Sequence, residues 1–190
     1  METGEGSIKW RRGERAELLA CPIFTVTERE NEGPGGRSGR FIVLEAHDWT
    51  TVVPLLYRDG EPCFLMVRQY RHGSDELSVE FPGGVVEAGE EPAAAAVREL
   101  AEETGYRAAS MRLAGSIYPN PAFMDNRYHV FLAEGLELFG ETALDEEEVL
   151  DSLLVPAGEL RAEMGRGQYS HALMVAALFM ADRLLGGTPR

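Results

Sequence analysis

Apolar and polar residues alternate over several short stretches of this chain, a pattern typical of half-buried β-strands. The dipeptide Asp59-Gly60 between two of these stretches favours a tight hairpin. Glycine, proline and asparagine are concentrated at 31–39, which predicts a turn. The predicted strands cover residues 18–28, 40–46, 51–57, 63–69, 111–118, 127–133 and 149–155.

Three other stretches have the spacing of helices. The first, 92–104, starts with Pro92, which a first helical turn tolerates, and is closed by Gly105. The others cover 157–164 and 170–185. The last has an apolar stripe, which predicts an inward face: Leu173, Ala176, Ala177, Met180 and Leu184. Strands interspersed with helices predict an α/β sandwich, with a mixed sheet covered by helices on both faces.

Three acids share one stripe of the first predicted helix: Glu99, Glu102 and Glu103 lie three or four residues apart. Their mutual repulsion would be relieved by a hard divalent cation, which prefers oxygen ligands. Arg98 can hold one of the carboxylates by a bidentate pair. We expect the opposite side to pack inward, and it carries Ala93, Val97, Leu100 and Ala101. A solvated acidic face is the alternative interpretation.

The surrounding residues favour a site over a solvated face. The stretch GVVEAGEEPAAAAVRELAEETGY, 84–106, reads G-x5-E-x7-R-E-U-x-E-E-x-G-U, where U is a large apolar residue. It resembles the signature of the Nudix hydrolases, which cleave nucleoside diphosphates linked to another moiety. The resemblance implies an α-β-α sandwich. It also implies two or more Mg²⁺ or Mn²⁺ ions, held by Glu99, Glu102 and Glu103.

A second pair of motifs narrows the resemblance. The run VRQYR, 67–71, followed by EFPGG, 80–84, is similar to the ADP-ribose pyrophosphatase branch of that family. The resemblance implies that the carbonyl of Gly83 is a metal ligand. It also places Arg68, Arg71 and Glu80 at the substrate, where a planar guanidinium matches phosphate oxygens. A surface salt-bridge pair at a strand end is the alternative for the two arginines.

The general base is expected in a second acidic cluster, DEEE at 145–148. In the resembling branch a Glu on the corresponding loop activates water, which favours Glu148, with Glu146 as the second choice. A solvated hairpin tip is the plain interpretation of such a charge run. Glu99 or Glu102 is the alternative base, as in mutator-type members of the family. Spacing leaves these choices open.

The substrate is indicated by the segment 118–127. Pro121 follows Tyr106 at close to the proline spacing associated with ADP-ribose hydrolysis. Asn126 stands where the branch usually has an acidic residue, unless Asp125 substitutes for it. Other nucleoside diphosphate sugars are therefore natural candidates. Trp10 resembles a tryptophan that some relatives stack on adenine, although an aromatic residue covering the core is an equal alternative.

Composition excludes several classes of protein. A net charge of −14 argues against a nucleic-acid surface, and no apolar run approaches the 18 or so residues of a membrane span. The stretch METGEGSIKWRRGE lacks a signal-type apolar core, so we expect a cytoplasmic protein. The cysteines and histidines show no metal-ligand spacing.

The resemblance also implies a domain division and a homodimer. We expect an N-terminal β extension over 1–48, exchanged between subunits, and a catalytic domain over 49–190. The predicted function is Mg²⁺-dependent cleavage of ADP-ribose or a related nucleoside diphosphate sugar. A nucleotide-binding sensor of the same fold and a nucleoside triphosphate sanitising pyrophosphatase are the alternatives.

Overall fold

A computed structural model describes residues 8–144 and 149–186. These residues form two compact units. One unit is assigned to Met1–His47 and Tyr118–Arg127, and the other is assigned to Asp48–Ile117 and Tyr128–Arg190. The predicted division between residues 48 and 49 differs in one respect: it assigned Tyr118–Arg127 to the second domain, whereas in the structure this segment groups with the first unit. The exchange of N-terminal strands between subunits stays a prediction.

The first unit contains a three-stranded antiparallel sheet. Its strands are β1 (Arg15–Ala20), β2 (Thr25–Gly33) and β3 (Arg37–Glu45), in that spatial order. The single strand predicted over 18–28 is wrong. The chain turns between β1 and β2, where the Cys21 N–H donates to the Phe24 carbonyl and Pro22 has no N–H for a strand ladder.

The second unit contains a mixed sheet, as predicted. Its strands are β4 (Trp49–Arg58), β5 (Glu61–Arg71), β6 (Glu76–Glu80), β7 (Tyr106–Ile117), β8 (Tyr128–Leu138) and β9 (Leu150–Pro156). The spatial order is β6-β5-β4-β8-β7, with β9 also paired to β5. Only the β4–β8 pair is parallel among the described strands. The predicted hairpin is confirmed, since Asp59 and Gly60 both have positive φ between β4 and β5, whereas β6 was not predicted.

Helices cover both faces of this sheet, which confirms the α-β-α sandwich. They are α1 (Pro92–Thr104), α2 (Ala157–Glu163) and α3 (Ala172–Leu184). Strand alternation sorts the core into two layers. Val52 of β4 packs with Leu100 of α1, while its neighbour Val53 belongs to the larger cluster that contains Leu178 of α3.

The inward face of α3 differs partly from the predicted stripe. The buried residues of this helix are Met174, Ala177, Leu178 and Ala181. Leu184 is 37% exposed, because the buried stripe runs through Met174 and Ala181 and not through the last predicted residue. None of the described helices is both long enough and apolar enough to span a membrane.

Candidate active site

Helix α1 is fixed at both ends by local sequence. Pro92 occupies its first position, and Glu91 precedes it in an extended conformation. Gly105 ends it in the left-handed conformation, with φ of 74°, and its N–H donates to the Ala101 carbonyl. A Cβ at Gly105 would also lie 2.4 Å from the Gly140 carbonyl oxygen. Only glycine fits both requirements.

The acidic stripe of α1 faces inward beside Leu100, which is buried as predicted, whereas the rest of the predicted inward side is largely exposed. Val97 is 48% exposed and Ala93 is exposed. Glu99 and Glu103 are instead buried, at 8% and 3% exposure. Burying carboxylates costs free energy unless polar groups receive them. Here the polar partners are the backbone N–H of Gly83 for Glu103 and the guanidinium of Arg98 for Glu99.

Two consecutive glycines lie against these carboxylates. The Gly83 N–H donates to Glu103 Oε2 at 2.9 Å. A Cβ at Gly84 would lie 2.5 Å from Glu99 Oε1, so no larger residue fits there while Glu99 keeps its position. Backbone bonds also fix the segment to β4, since the Thr50 N–H donates to the Gly84 carbonyl and the Val52 N–H to the Pro82 carbonyl, both at 2.9 Å.

Arg98 connects the acids of this site. Its Nε and Nη2 atoms donate to the two oxygens of Glu90, at 3.1 and 3.0 Å. Its Nη1 atom donates to Glu99 Oε1 at 2.8 Å and to Glu102 Oε2 at 3.1 Å. The bidentate partner of Arg98 is therefore Glu90. The hydrogen bond with Glu90, followed by the charge of Glu99, raises the pKa of Arg98 well above its ordinary value.

The contact with Arg98 also changes the pKa of Glu90. The hydrogen bond from Arg98, followed by that from the Glu87 N–H, lowers the pKa of Glu90. Arg98 also donates to the Val85 carbonyl at 3.0 Å. One guanidinium thus ties the loop that carries Glu90 to two acids of α1, which holds their side chains in a fixed orientation.

The oxygen atoms of the acids on α1 and of the Gly83 carbonyl are of the chemical type that binds a divalent metal. Carboxylate oxygens and a backbone carbonyl are the ligands that Mg²⁺ and Mn²⁺ take, and the glycine segment leaves room for close approach. Within residues 8–144 and 149–186, no three Cys, His, Asp or Glu side chains converge as a preformed metal cluster. The reason lies in the contacts above: Glu99 and Glu102 turn to Arg98, and Glu103 turns to Gly83.

The two arginines predicted at the substrate hold separate carboxylates. Arg68 Nη2 lies 2.7 Å from Asp151 Oδ2, across the β5–β9 pair. Arg71 Nε and Nη2 donate to the two oxygens of Glu80, at 2.8 and 2.7 Å. Both arginine side chains are almost half exposed, at 44% and 45%, so they can still meet a substrate.

Glu80, also predicted at the substrate, is only 1% exposed. Burial raises the pKa of Glu80, but the bonds from Arg71 and the contact with His171 outweigh burial and hold the pKa below its ordinary value. The sequence did not point to His171 as a partner, because its spacing matches no ligand motif.

The remaining predicted residues lie in the first unit or outside the described residues. The Trp10 ring packs on Phe41, with 5.0 Å between ring centroids, and covers Gly33, where a Cβ would lie 2.8 Å from it. Pro121 is exposed in the turn after Asn120. Glu146 and Glu148 lie outside the described residues, and each of these roles stays a prediction.

Asn126, at the position where the resembling branch usually has an acidic residue, is shielded from solvent. Asn126 is 2% exposed, and its Nδ2 donates to the His47 carbonyl at 3.1 Å. Its neighbour Asp125 is exposed and accepts from the Ala46 N–H at 3.3 Å. Asp125 is therefore the better placed of the two to meet a solvent-borne ligand.

Comparisons with known proteins identify the family of this chain. The NUDIX domain model matches residues 46–176. An ADP-ribose pyrophosphatase of Bacillus subtilis (strain 168) is 37% identical over 142 residues, which cover 74% of this chain and 75% of the relative. An ADP-ribose pyrophosphatase of Mycobacterium tuberculosis is 28% identical over 167 residues, covering 87% and 79%.

A solved structure shows the same fold. The crystal structure of an ADP compounds hydrolase superposes with a TM-score of 0.81, at 21% identity, covering 96% of this chain and 97% of that one. Together with the complete motif at 84–106, these matches show that the chain belongs to the Nudix hydrolase family and is a pyrophosphohydrolase of the ADP-ribose pyrophosphatase-like kind.

Proposed function

We propose that this enzyme hydrolyses the diphosphate bond of ADP-ribose or a related nucleoside diphosphate sugar, releasing a nucleoside monophosphate and a sugar phosphate. The observation that carries the proposal is the inward acidic face of α1, where Glu99 and Glu103 lie against Gly83 and Gly84. The relatives named ADP-ribose pyrophosphatases support the substrate class.

The proposal includes divalent metal ions. Glu99, Glu102, Glu103 and the Gly83 carbonyl would hold two or more Mg²⁺ or Mn²⁺ ions. Such ions, when bound, neutralise charge on a phosphoryl group and lower the pKa of a coordinated water from about 15.7 towards about 7 to 9.

The protein's own groups hold the acidic side chains of the site. Arg98 keeps the Glu99 and Glu102 side chains in place through bonds of 2.8 and 3.1 Å. The Gly83 N–H fixes Glu103 in the same way. These contacts keep the three carboxylates beside the glycine segment, and each carboxylate would turn from its present partner to bind a metal ion.

A carboxylate must take a proton from the attacking water while the bridging P–O bond breaks. We favour Glu148 for this role, with Glu146 second and Glu99 or Glu102 as alternatives. Arg68 and Arg71 would contact the phosphates or the terminal ribose, and Trp10, Pro121 and Glu80 would complete substrate binding. Support for the arginines comes from their half-exposed guanidinium groups.

The test is hydrolysis of ADP-ribose, ADP-glucose, GDP-mannose and 8-oxo-dGTP side by side, with Mg²⁺ and with the metal removed by EDTA. We expect hydrolysis of the ADP-sugars, dependent on the metal. Turnover of 8-oxo-dGTP alone would instead support a sanitising pyrophosphatase. Tight nucleotide binding without turnover of any of the four would support a sensor.

A matched pair of variants isolates the acidic site. Glu102 and Glu134 both pair with an arginine, at 3.1 and 2.7 Å, and their side chains are 41% and 38% exposed. Glu102→Gln should lower kcat by several decades, whereas Glu134→Gln should leave kcat within about twofold, because an exposed ion pair contributes little to the fold. Equal kcat values for the two variants would contradict the proposal.

We also propose that the enzyme is a homodimer in which the N-terminal strands are exchanged. The support is β1, all of whose residues are exposed, including Leu18 and Leu19 at 55% and 58%. An apolar edge strand of this kind usually pairs or is covered. Light scattering should give a dimer mass that falls to a monomer mass in a Leu18→Glu, Leu19→Glu variant.

A further inference from the structure

The first turn of α3 touches the segment 80–84 at its amino-terminal end. His171, which immediately precedes α3, has its Nδ1 atom 3.3 Å from Glu80 Oε2. The two atoms are close, but their geometry is not that of a hydrogen bond. The same Glu80 carboxylate receives both bonds from Arg71. A buried carboxylate is thus held between an arginine of β5 and a histidine of α3.

A second contact follows one residue later. The backbone N–H of Phe81 donates to the Met174 Sδ atom at 3.1 Å. Phe81 and Met174 are 2% and 3% exposed. A buried N–H needs an acceptor, and a thioether sulfur is a weak one. The buried Tyr128 adds a tie to the same turn, since its hydroxyl donates to the Leu173 carbonyl at 3.3 Å.

The other end of the segment reaches the acids of α1. Gly83 donates to Glu103, and Gly84 lies against Glu99. The backbone of Gly83 also packs closely against β4, because a Cβ at Gly83 would lie 2.2 Å from the Thr50 carbonyl oxygen. Residues 80–84 thus form one continuous segment, in contact with His171 and Met174 at one end and with the acids of α1 at the other.

From these contacts we infer that His171 and Met174 are positioning residues of the active site, which set the place of the Gly83 backbone through Glu80 and Phe81. The inference rests on the proposed function in one respect, namely that the Gly83 carbonyl is a metal ligand. Neither residue belongs to the acidic motif, and the contact spans 93 positions of sequence between Phe81 and Met174.

The variants are Met174→Leu and His171→Ala. Met174→Leu keeps the side-chain volume but removes the acceptor of the Phe81 N–H. Met180→Leu is the matched control, because it makes the same change on the same helix at a partly buried residue of the same core. His171→Asn keeps a polar side chain facing Glu80 and tests whether the conservative change rescues the alanine variant.

The readout without substrate is hydrogen exchange of the Gly83 amide, measured by NMR, together with Mn²⁺ affinity measured by calorimetry. We expect Met174→Leu and His171→Ala to exchange Gly83 about tenfold faster and to bind Mn²⁺ about tenfold more weakly. With substrate, kcat should fall about tenfold, while KM stays within about twofold. His171→Asn should recover most of each loss, and Met180→Leu should match wild type.

Two results would overturn the inference. One is a Gly83 exchange rate equal to that of wild type in both variants. The other is that Met180→Leu loses as much kcat as Met174→Leu when the two variants lose the same thermal stability. The effect would then come from general packing of the core. If wild type hydrolyses none of the nucleotides, the proposed function fails, and the exchange rate of Gly83 in the variants still decides the positioning role.

Discussion

Replacing Gly84 by alanine separates the chemistry of the site from its stability. The added Cβ would lie 2.5 Å from Glu99 Oε1, 2.8 Å from its Cδ and 2.9 Å from its Oε2. Ordinary contact begins near 3.4 Å, so the carboxylate must retreat by about 0.9 Å. All three atoms belong to the end of a flexible side chain, and the backbone need not move.

The expected effect on stability is therefore small. An off-rotamer Glu99 costs about 0.5–1.5 kcal/mol, and the loss of a glycine from the unfolded chain returns about 0.4–1 kcal/mol. The free energy of unfolding should stay within about 1 kcal/mol of wild type. Urea titration followed by circular dichroism measures this quantity.

The expected effect on activity is large. Glu99 is proposed as a metal ligand and holds Arg98 Nη1 at 2.8 Å, and a retreat of about 0.9 Å disturbs both contacts. Because a misplacement of about 1 Å can cost about 100-fold in rate, we expect kcat for ADP-ribose to fall by about that factor. The Mn²⁺ affinity should fall in parallel.

Gly158→Ala is the control. Gly158 lies in α2, and a Cβ there meets no atom within 4 Å, so we expect unchanged kcat and slightly higher stability. A Gly84→Ala enzyme with wild-type kcat and wild-type stability would refute the reasoning, because it would show that the position of Glu99 does not matter for hydrolysis.

Three further predictions follow from other contacts. Glu103→Gln should lose several decades of kcat and remain folded, since an amide oxygen can still accept the Gly83 N–H; near-wild-type turnover would contradict the metal site. Gly105→Ala should lower the free energy of unfolding by about 3 kcal/mol in urea titration, because φ is 74° and the Cβ would lie 2.4 Å from the Gly140 oxygen; an unchanged midpoint would contradict this. Hydrogen bonds, first from Arg15 and then from Arg29, lower the pKa of Glu45 to about 2 from 4.5. The stability that Glu45 contributes is therefore present above pH 4.5 and is lost as the pH falls towards 2. The difference in Tm between wild type and Glu45→Gln should shrink over that range, and a constant difference would disprove the assignment.

Local signals predicted the helix of the site well. The bounds of α1 agree with the predicted 92–104, because Pro92 and Gly105 act within a few residues of the chain. The hairpin at Asp59-Gly60 was predicted for the same reason. The acidic motif likewise needs no distant contact to be recognised, since its seven defining positions lie within 84–105.

The orientation of α1 could not be predicted in the same way. Hydrophobicity placed Ala93 and Val97 inside, whereas the structure buries Glu99 and Glu103. Glu103 accepts from the backbone N–H of Gly83, which has no side chain and therefore no signal on a hydrophobicity scale, and Glu99 accepts from Arg98. The contact between Phe81 and Met174 was missed because it joins residues 93 positions apart.

The buried acids of α1 themselves argue for function over stability. Rotating this helix to bury Val97 and expose Glu99 would avoid the cost of desolvating a carboxylate. The fold does the opposite. It then sets Glu90, Glu99 and Glu102 around the single guanidinium of Arg98, a group of four side chains whose formal charges leave an excess of negative charge. A divalent cation would balance that excess, and it would also provide the local positive charge that an anionic diphosphate needs on a protein with a net charge of −14. The same arrangement that carries the cost of desolvating carboxylates would thus favour the proposed metal and an anionic substrate.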